Sequence, residues 1–431
     1  MSGVTAAGLA PSRSVLSNGL VVIAKENGTT PAVTINLAVR AGSVCDPADA
    51  LGTALFVSRT IDRGTAQHTA DEIAGQLDGR GIALAVHVTR HLLTMACTCL
   101  AEDFDAVLGL IGEMATAPTF PDREVDTRRG EIITAIRQDQ DNPAVAAVER
   151  LMALLYGDDH PYGRPAKGTI ASVTAIASAH LSAFHRAWFA PARTALAIVG
   201  DVAAARATDA AARVFSDWTA APAPAPVLAA PVPATGRRRV VLPMMNKAQV
   251  DIAYGFTTIA RADPAYDACW IMNNVLGQYA LGGRLGESIR ERQGMAYYVS
   301  STFDPNAIAG PLLVRAGVNP ANVDRALASI DREMAAMAAD GVTAKELGES
   351  KQYLIGSMPR TLETNAGIAA FLQMVEYFDL GLDYDLRVPE RLRAVTLDQV
   401  NGAARRMLRV DRAAVVIAGP YEDGPDAVPQ A

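Results

Sequence analysis

Ala195-Leu-Ala-Ile-Val-Gly200 is an apolar run of strand length closed by glycine, and it returns as Ala414-Val-Val-Ile-Ala-Gly419, 219 positions later. The helix-like residues ahead of it keep the same offset, because Leu181, Phe184 and Trp188 reappear as Val400, Ala403 and Met407. A strand and its preceding helix repeated at one spacing imply a duplicated unit. Between the copies, residues 221–236 carry dense proline, which removes backbone donors and favours extended polyproline II, so this stretch reads as a linker. The expected organisation is a domain over 1–221, a Pro/Ala-rich linker over 222–236, and a second domain over 237–431.

Each half opens with strand patterning. Asn18-Gly19 is a hairpin dipeptide ahead of Leu20-Val-Val-Ile23, and Val33, Ile35, Leu37 and Val39 alternate with Thr34, Asn36, Ala38 and Arg40. Arg239-Val-Val-Leu242 and Val250-Asp-Ile-Ala-Tyr254 play these parts in the second half. Helical spacing follows over 105–115 and 122–138, then over 323–338 and 343–358, with Asp122 and Thr343 as candidate N-caps. Strands and helices that do not alternate strictly predict an α+β fold: two homologous domains, each a mainly antiparallel sheet with helices packed on one face.

Composition excludes several classes. Lys plus Arg number 39 against 46 Asp plus Glu, a net charge of −7, which leaves no basic surplus for a nucleic acid partner. No stretch approaches the roughly 20 consecutive apolar residues of a membrane span. Residues 1–11 have neither a cationic start nor an apolar core, so the expected compartment is the cytoplasm, or the periplasm if a signal has been removed. Cys97 and Cys99 are expected as packed thiols on one strand face.

The run Gly52-Thr-Ala-Leu55-Phe-Val-Ser58-Arg59, with Asp159-His-Pro-Tyr-Gly163, Phe189-Ala-Pro-Ala-Arg193, Gly283-Arg-Leu285 and Ile289-Arg-Glu-Arg-Gln-Gly-Met-Ala-Tyr297, resembles the insulinase/pitrilysin zinc peptidases over nearly the whole chain. The resemblance implies one half of a clam-shell peptidase. In active members an H-x-x-E-H helix supplies two zinc-binding histidines and a glutamate base, and a later helix supplies a glutamate ligand. Those positions here are Leu55, Ser58, Arg59 and Ala135, with Arg128 where a second helpful glutamate would fall and Glu131 one turn before Ala135. Leucine, serine, arginine and alanine at the four ligand and base positions cannot bind zinc, an alternative ligand at Glu131 would still lack both histidines, and Arg59 places a permanent cation where a dication belongs. The reading is therefore no metal in this chain.

Other histidines do not rebuild a centre. His87 and His91 lie in a strand-like stretch, 83–94, where four residues at about 3.3 Å each put them some 13 Å apart. Asp158, Asp159 and His160 read as loop hydrogen bonding, and His180 with His185 as helix histidines. There is no G-x-S-x-G and no Walker loop.

The second-half motif is intact. Leu281, Leu285 and Ile289 recur every four residues as one helix face, and Gly294 ends the helix before a strand from Met295. The family resemblance assigns Arg290 and Tyr297 to substrate binding and oxyanion stabilisation at the zinc site of another domain. Read from residues alone, Arg290 is a helix-end ion pair and Tyr297 is sheet packing, with Tyr298 on the opposite strand face as internal control. Aligning Arg292-Gln-Gly294 with Gly79-Arg-Gly81 sets Leu77 opposite Arg290 and Leu84 opposite Tyr297, so the halves are specialised. Gly277, Gly282 and Gly283 resemble the family's glycine loop, where main chain can approach substrate or partner; read from the residues alone the loop is equally a simple flexible connection.

These readings imply a non-catalytic subunit of a two-chain metallopeptidase, inactive alone, that pairs with a zinc-bearing homologue, closes the chamber over peptide substrates and presents Arg290 and Tyr297. The alternative is a peptidase-derived scaffold or peptide-binding protein, similar to the scaffold subunits of respiratory complexes. A free-standing hydrolase is the weakest reading.

Overall fold

A computed structural model describes residues 8–278 and 282–422. Strands β1 (Ser12–Val15), β2 (Val21–Glu26), β3 (Ala32–Val39), β4 (Ala85–Val88), β5 (Leu93–Leu100) and β6 (Thr194–Gly200) form one sheet in the order β1-β2-β6-β3-β5-β4. Strands β7 (Arg238–Pro243), β8 (Val250–Thr257), β9 (Ala296–Phe303), β10 (Pro311–Val318) and β11 (Ala414–Gly419) form another, in the order β7-β11-β8-β10-β9. Apart from β1, the orders coincide. In each sheet one parallel pair, β2 with β6 or β7 with β11, adjoins antiparallel neighbours. The repeated strands read from sequence, β6 and β11, hold equivalent places, so the α+β duplication is realised in topology.

The strands carry the cores. Val33, Ile35, Leu37 and Val39 are fully buried on β3, and Ile252 and Tyr254 are buried on β8. Cys97 and Cys99 are buried free thiols on β5.

The compact units do not follow the chain's halfway mark. One comprises residues 1–136, 165–227 and 358–387; the other comprises 137–164, 228–357 and 388–431. Each therefore takes a helix from the opposite half of the sequence. In the first, the Asn365–Tyr377 helix sets Ile368, Ala369 and Leu372 against Ile23, Ala197 and Val199. Gln373 on that helix donates to the Asn36 and Ala195 carbonyls at 2.7 and 2.9 Å. In the second, the Pro143–Tyr156 helix packs on β8 and β11, burying Leu151, and the Tyr156 hydroxyl donates to the Ala309 carbonyl at 3.0 Å. An amphipathic helix buries its apolar face on the sheet its connection reaches. Residues 221–234 have no regular secondary structure.

Local expectations differ at three places. Thr343 does cap its helix, accepting from the Glu346 amide while Glu346 accepts from the Thr343 amide, but Asp122 lies inside its own helix. There the Pro121 carbonyl takes the first helical bond, from Val125, and Asp122 instead accepts from the Ser178 hydroxyl. The 83–94 stretch is not one strand: it turns at residues 89–92, where the Thr89 amide donates to Leu92, so His87 and His91 do not share one strand face. Finally, the helix bearing Arg290 is a π-helix, Gly286–Arg292, not the α-helix that four-residue spacing predicts. Leu285 and Ile289 are fully buried there, whereas Leu281 lies outside the described residues.

Candidate functional site

The corner expected for a metal is built on the Thr53–Thr60 helix. Its start is held by Asp46, whose two carboxylate oxygens accept from the Gly52 and Ala54 amides at 2.8 and 2.7 Å. Gly52 has φ +91°, and a Cβ there would meet the Lys167 carbonyl at 2.5 Å, so glycine is required by backbone contact. Leu55 is half-buried; Ser58 is buried with its hydroxyl returned to the Leu55 carbonyl at 2.7 Å; Arg59 is exposed. Ala135 is half-buried on the Asp122–Gln140 helix.

Charged residues occupy this corner. Arg128 pairs with Glu131 at 2.5 Å and reaches Glu124 at 4.0 Å, and Arg63 pairs with Asp62 at 3.2 Å. Glu131 is held below the usual carboxylate range, first by the Arg128 hydrogen bond, with the fields of Arg63 and Arg59 adding to it. Burial pushes the Asp62 carboxyl up against the opposing field of Arg63.

Three of the histidines have ordinary partners. His185 lies within 2.9 Å of the Ala115 carbonyl, His180 accepts from the Ala177 amide, and His160 accepts from Tyr162 and meets the Ala229 carbonyl. Among the described residues no group of three or more His, Cys, Asp or Glu is placed to hold a metal ion.

The second constellation begins at Arg284, which makes two bonds to Glu346 at 2.6 and 2.8 Å and one to the Gly341 carbonyl. Burial would raise the Glu346 carboxyl, but Arg284 and the Thr343 cap outweigh it and hold the group at about 2. This clamp fixes the start of the π-helix. At its far end Gly294, φ +61°, turns the chain into β9. Arg290 is exposed, and among the described residues its one acidic neighbour within 4 Å is Glu291 at 3.8 Å. Tyr297 is 60% exposed, and among the described residues its hydroxyl has no hydrogen-bond partner. Tyr298 donates instead to the buried Asp251 carboxylate, so it is a structural group and a poor neutral control.

Gly277 and Gly283 are buried against each other: a Cβ on Gly283 would lie 2.8 Å from the Gly277 Cα, and one on Gly277 would lie 2.9 Å from the Ser301 hydroxyl. Gly282 is exposed. Residues 279–281 of that loop lie outside the described residues.

Comparison with known proteins decides the lineage. The family profile "Insulinase (Peptidase family M16)" matches residues 21–169, and "Peptidase M16 inactive domain" matches 175–354. The chain belongs to the insulinase family. An uncharacterized zinc protease of Mycobacterium tuberculosis is 28% identical over 427 residues, covering 96% of this chain and 94% of that protein. One of Bacillus subtilis is 24% identical, covering 94% and 98%. The crystal structure of a peptidase M16 inactive domain from Pseudomonas fluorescens superposes with a TM-score of 0.89 at 27% identity, covering 96% and 98%. A Helicobacter pylori protease at 16% identity shares the fold, with a TM-score of 0.87.

Within the insulinase family a metal at the first corner needs imidazole and carboxylate donors. Leucine, serine, arginine and alanine at 55, 58, 59 and 135 do not fit zinc, and the Arg59 and Arg128 charges oppose a cation. The residue pair that sequence reasoning missed is Arg284 with Glu346. The Thr343-x-x-Glu346 capping pattern was visible, but its partner 62 positions away was not.

Proposed function

We propose that this peptidase homologue is the non-catalytic subunit of a two-chain zinc peptidase, and that it lends Arg290 and Tyr297 to peptide bound at a zinc-bearing homologue. The observation that carries the reading is the state of these two side chains. A π-helix seated by fully buried Ile289, with fully buried Leu285 just ahead of it, holds an exposed guanidinium, and the next strand holds an exposed phenol with no partner among the described residues. Exposed donors on a rigid element suit a ligand better than they suit packing. Π-helical turns recur at functional sites. Hydrolysis itself belongs to the partner. The guanidinium and the phenol donate hydrogen bonds to the scissile carbonyl oxygen as it gains negative charge, each worth about 3 kcal/mol by analogy with other oxyanion donors.

The test is native mass spectrometry of the protein from its own source, followed by kinetics of any complex with Arg290→Ala and Tyr297→Phe. A species of two different homologues with one zinc, losing turnover in both variants, supports the reading. Turnover unchanged in both variants defeats the role of the pair. A metal-free monomer or self-dimer shifts weight to a scaffold or peptide-binding protein.

A further inference from the structure

A separate concavity of about 150 Å³ opens in the first unit, where β2 and β6 begin and β3 finishes, lined by Arg40, Arg193, Gln373, Glu376 and Tyr377 among others. It is unusual in its charge. Glu376 is the only acidic side chain of the lining, and Arg13 already holds it through two bonds of 2.8 Å. Among the described residues neither Arg40 nor Arg193 has a carboxylate within 4 Å. Both guanidiniums are nevertheless positioned. Arg40 lies 5.5 Å from the Tyr377 ring centroid and Arg193 lies 4.9 Å from that of Trp188. Arg193 also donates to the Ala223 and Arg40 carbonyls at 2.9 and 3.3 Å.

The nearest acidic groups among the described residues are otherwise engaged. Burial pushes the adjacent Cys45 thiol up to about 12, so it is neutral, and the Asp46 carboxylate caps the Thr53–Thr60 helix. Two cations in one partly desolvated pocket repel, and burial holds Arg193 below its usual value, an effect to which Arg40 adds. The other repeat is an internal comparison. Strand pairing sets Ala38 opposite Ala195 and Gly255 opposite Ala414, which makes Thr257 the counterpart of Arg40 and Arg412 that of Arg193. Arg412 has Asp411 at 3.8 Å. The duplicated unit thus lacks one of the two cations, and the guanidinium it keeps has an acidic neighbour, one that Arg409 also holds through two bonds.

We propose that this pocket binds a small doubly charged oxyanion, a phosphate group in chemical class, between Arg40 and Arg193. Planar guanidinium forks match such oxygens, and two uncompensated charges favour a dianion over a monocarboxylate. The space of about 150 Å³ is ample for a phosphate group. The inference is independent of the peptidase reading.

Isothermal titration of the intact chain with inorganic phosphate, at about pH 8 and low salt where phosphate is a dianion, tests it. Saturable one-to-one binding is expected, with acetate weaker by about tenfold or more. Arg40→Gln, at an exposed position, should weaken phosphate by about tenfold, and Arg193→Lys should weaken it through loss of the fork. Arg40→Glu should abolish phosphate binding and leave the circular dichroism spectrum unchanged, because its carboxylate then neutralises Arg193. No saturable phosphate heat, acetate as tight as phosphate, or an unaltered affinity in both Arg40 variants would overturn the site.

Discussion

The same helix-to-strand junction occurs in both repeats and presents different side chains. In the first, Thr69 and Glu72 form a capping box for the Ala70–Asp78 α-helix, Leu77 is 7% exposed, and Gly81 turns the chain at φ +65° towards a half-buried Leu84. In the second, the corresponding glycine, Gly294, has φ +61°, but the helix is π-wound and its outward groups are Arg290 and Tyr297. Backbone turn and core are kept while the exposed chemistry differs. One copy maintains a fold; the other maintains a fold and two available donors.

The largest expected effect comes from making the second junction resemble the first. Arg290→Leu with Tyr297→Leu should lower the turnover of a partnered peptidase by roughly 10²–10³-fold or more, the loss seen for a single oxyanion donor. Because both side chains are exposed, stability should move by only about 0.5 kcal/mol. A large fall in the melting temperature would mean that the pair is structural. The mirror experiment belongs to the first junction: Leu77→Ala should cost about 2–4 kcal/mol in denaturant unfolding, as a buried leucine does, and leave turnover per folded complex unchanged.

How much of this contrast the sequence contained depends on the range of the interactions. The reading of 55, 58, 59 and 135 as lost ligand positions rests on the family resemblance and belongs to the proposal, whereas the repeated strands at 195 and 414 were legible because they follow from residue type at fixed spacing. The π-winding of Gly286–Arg292 was not, since Leu285 and Ile289 satisfy an α-helical pattern as well. Neither were the exchanged helices Pro143–Tyr156 and Asn365–Tyr377, whose apolar stripes say that they are buried but not on which sheet. The Arg40 and Arg193 pocket joins residues 153 positions apart and gives no local signal.

Acid should separate the units. All six histidines precede residue 186, and burial lowers both His91 and His185 to about 4, with Arg90 and Arg186 adding smaller effects in the same direction. For His185 the Ala115 carbonyl opposes burial without cancelling it. These groups are neutral in the folded chain and titrate near 6.5 when unfolded, so the unfolded state binds more protons between the two values. Their contribution is present above about pH 6.5 and is lost as pH falls towards 4. Hydrogen exchange should show β3, β5 and β6 losing protection across that window before β8, β10 and β11. Simultaneous loss would mean that the two sheets open as one.

The smallest effect is at the clamp below Arg290. Glu346→Gln keeps the shape but removes the charge that Arg284 grips, and it should cost about 1–2 kcal/mol at neutral pH, less than a buried pair because both side chains are partly exposed. The sign with pH is fixed by the depressed carboxyl. Glu346 titrates at about 2 folded against 4.5 as its ordinary value, so its contribution is full above about pH 4.5 and falls away as pH drops to 2. The stability difference between the native chain and Glu346→Gln should therefore narrow through that interval. Arg284→Lys, which keeps a charge but not the fork, should recover only part of it. No difference at neutral pH would place the stabilisation in the Thr343 cap, whose amide the glutamine carbonyl still accepts, and would leave the π-helix start without the electrostatic anchor argued here.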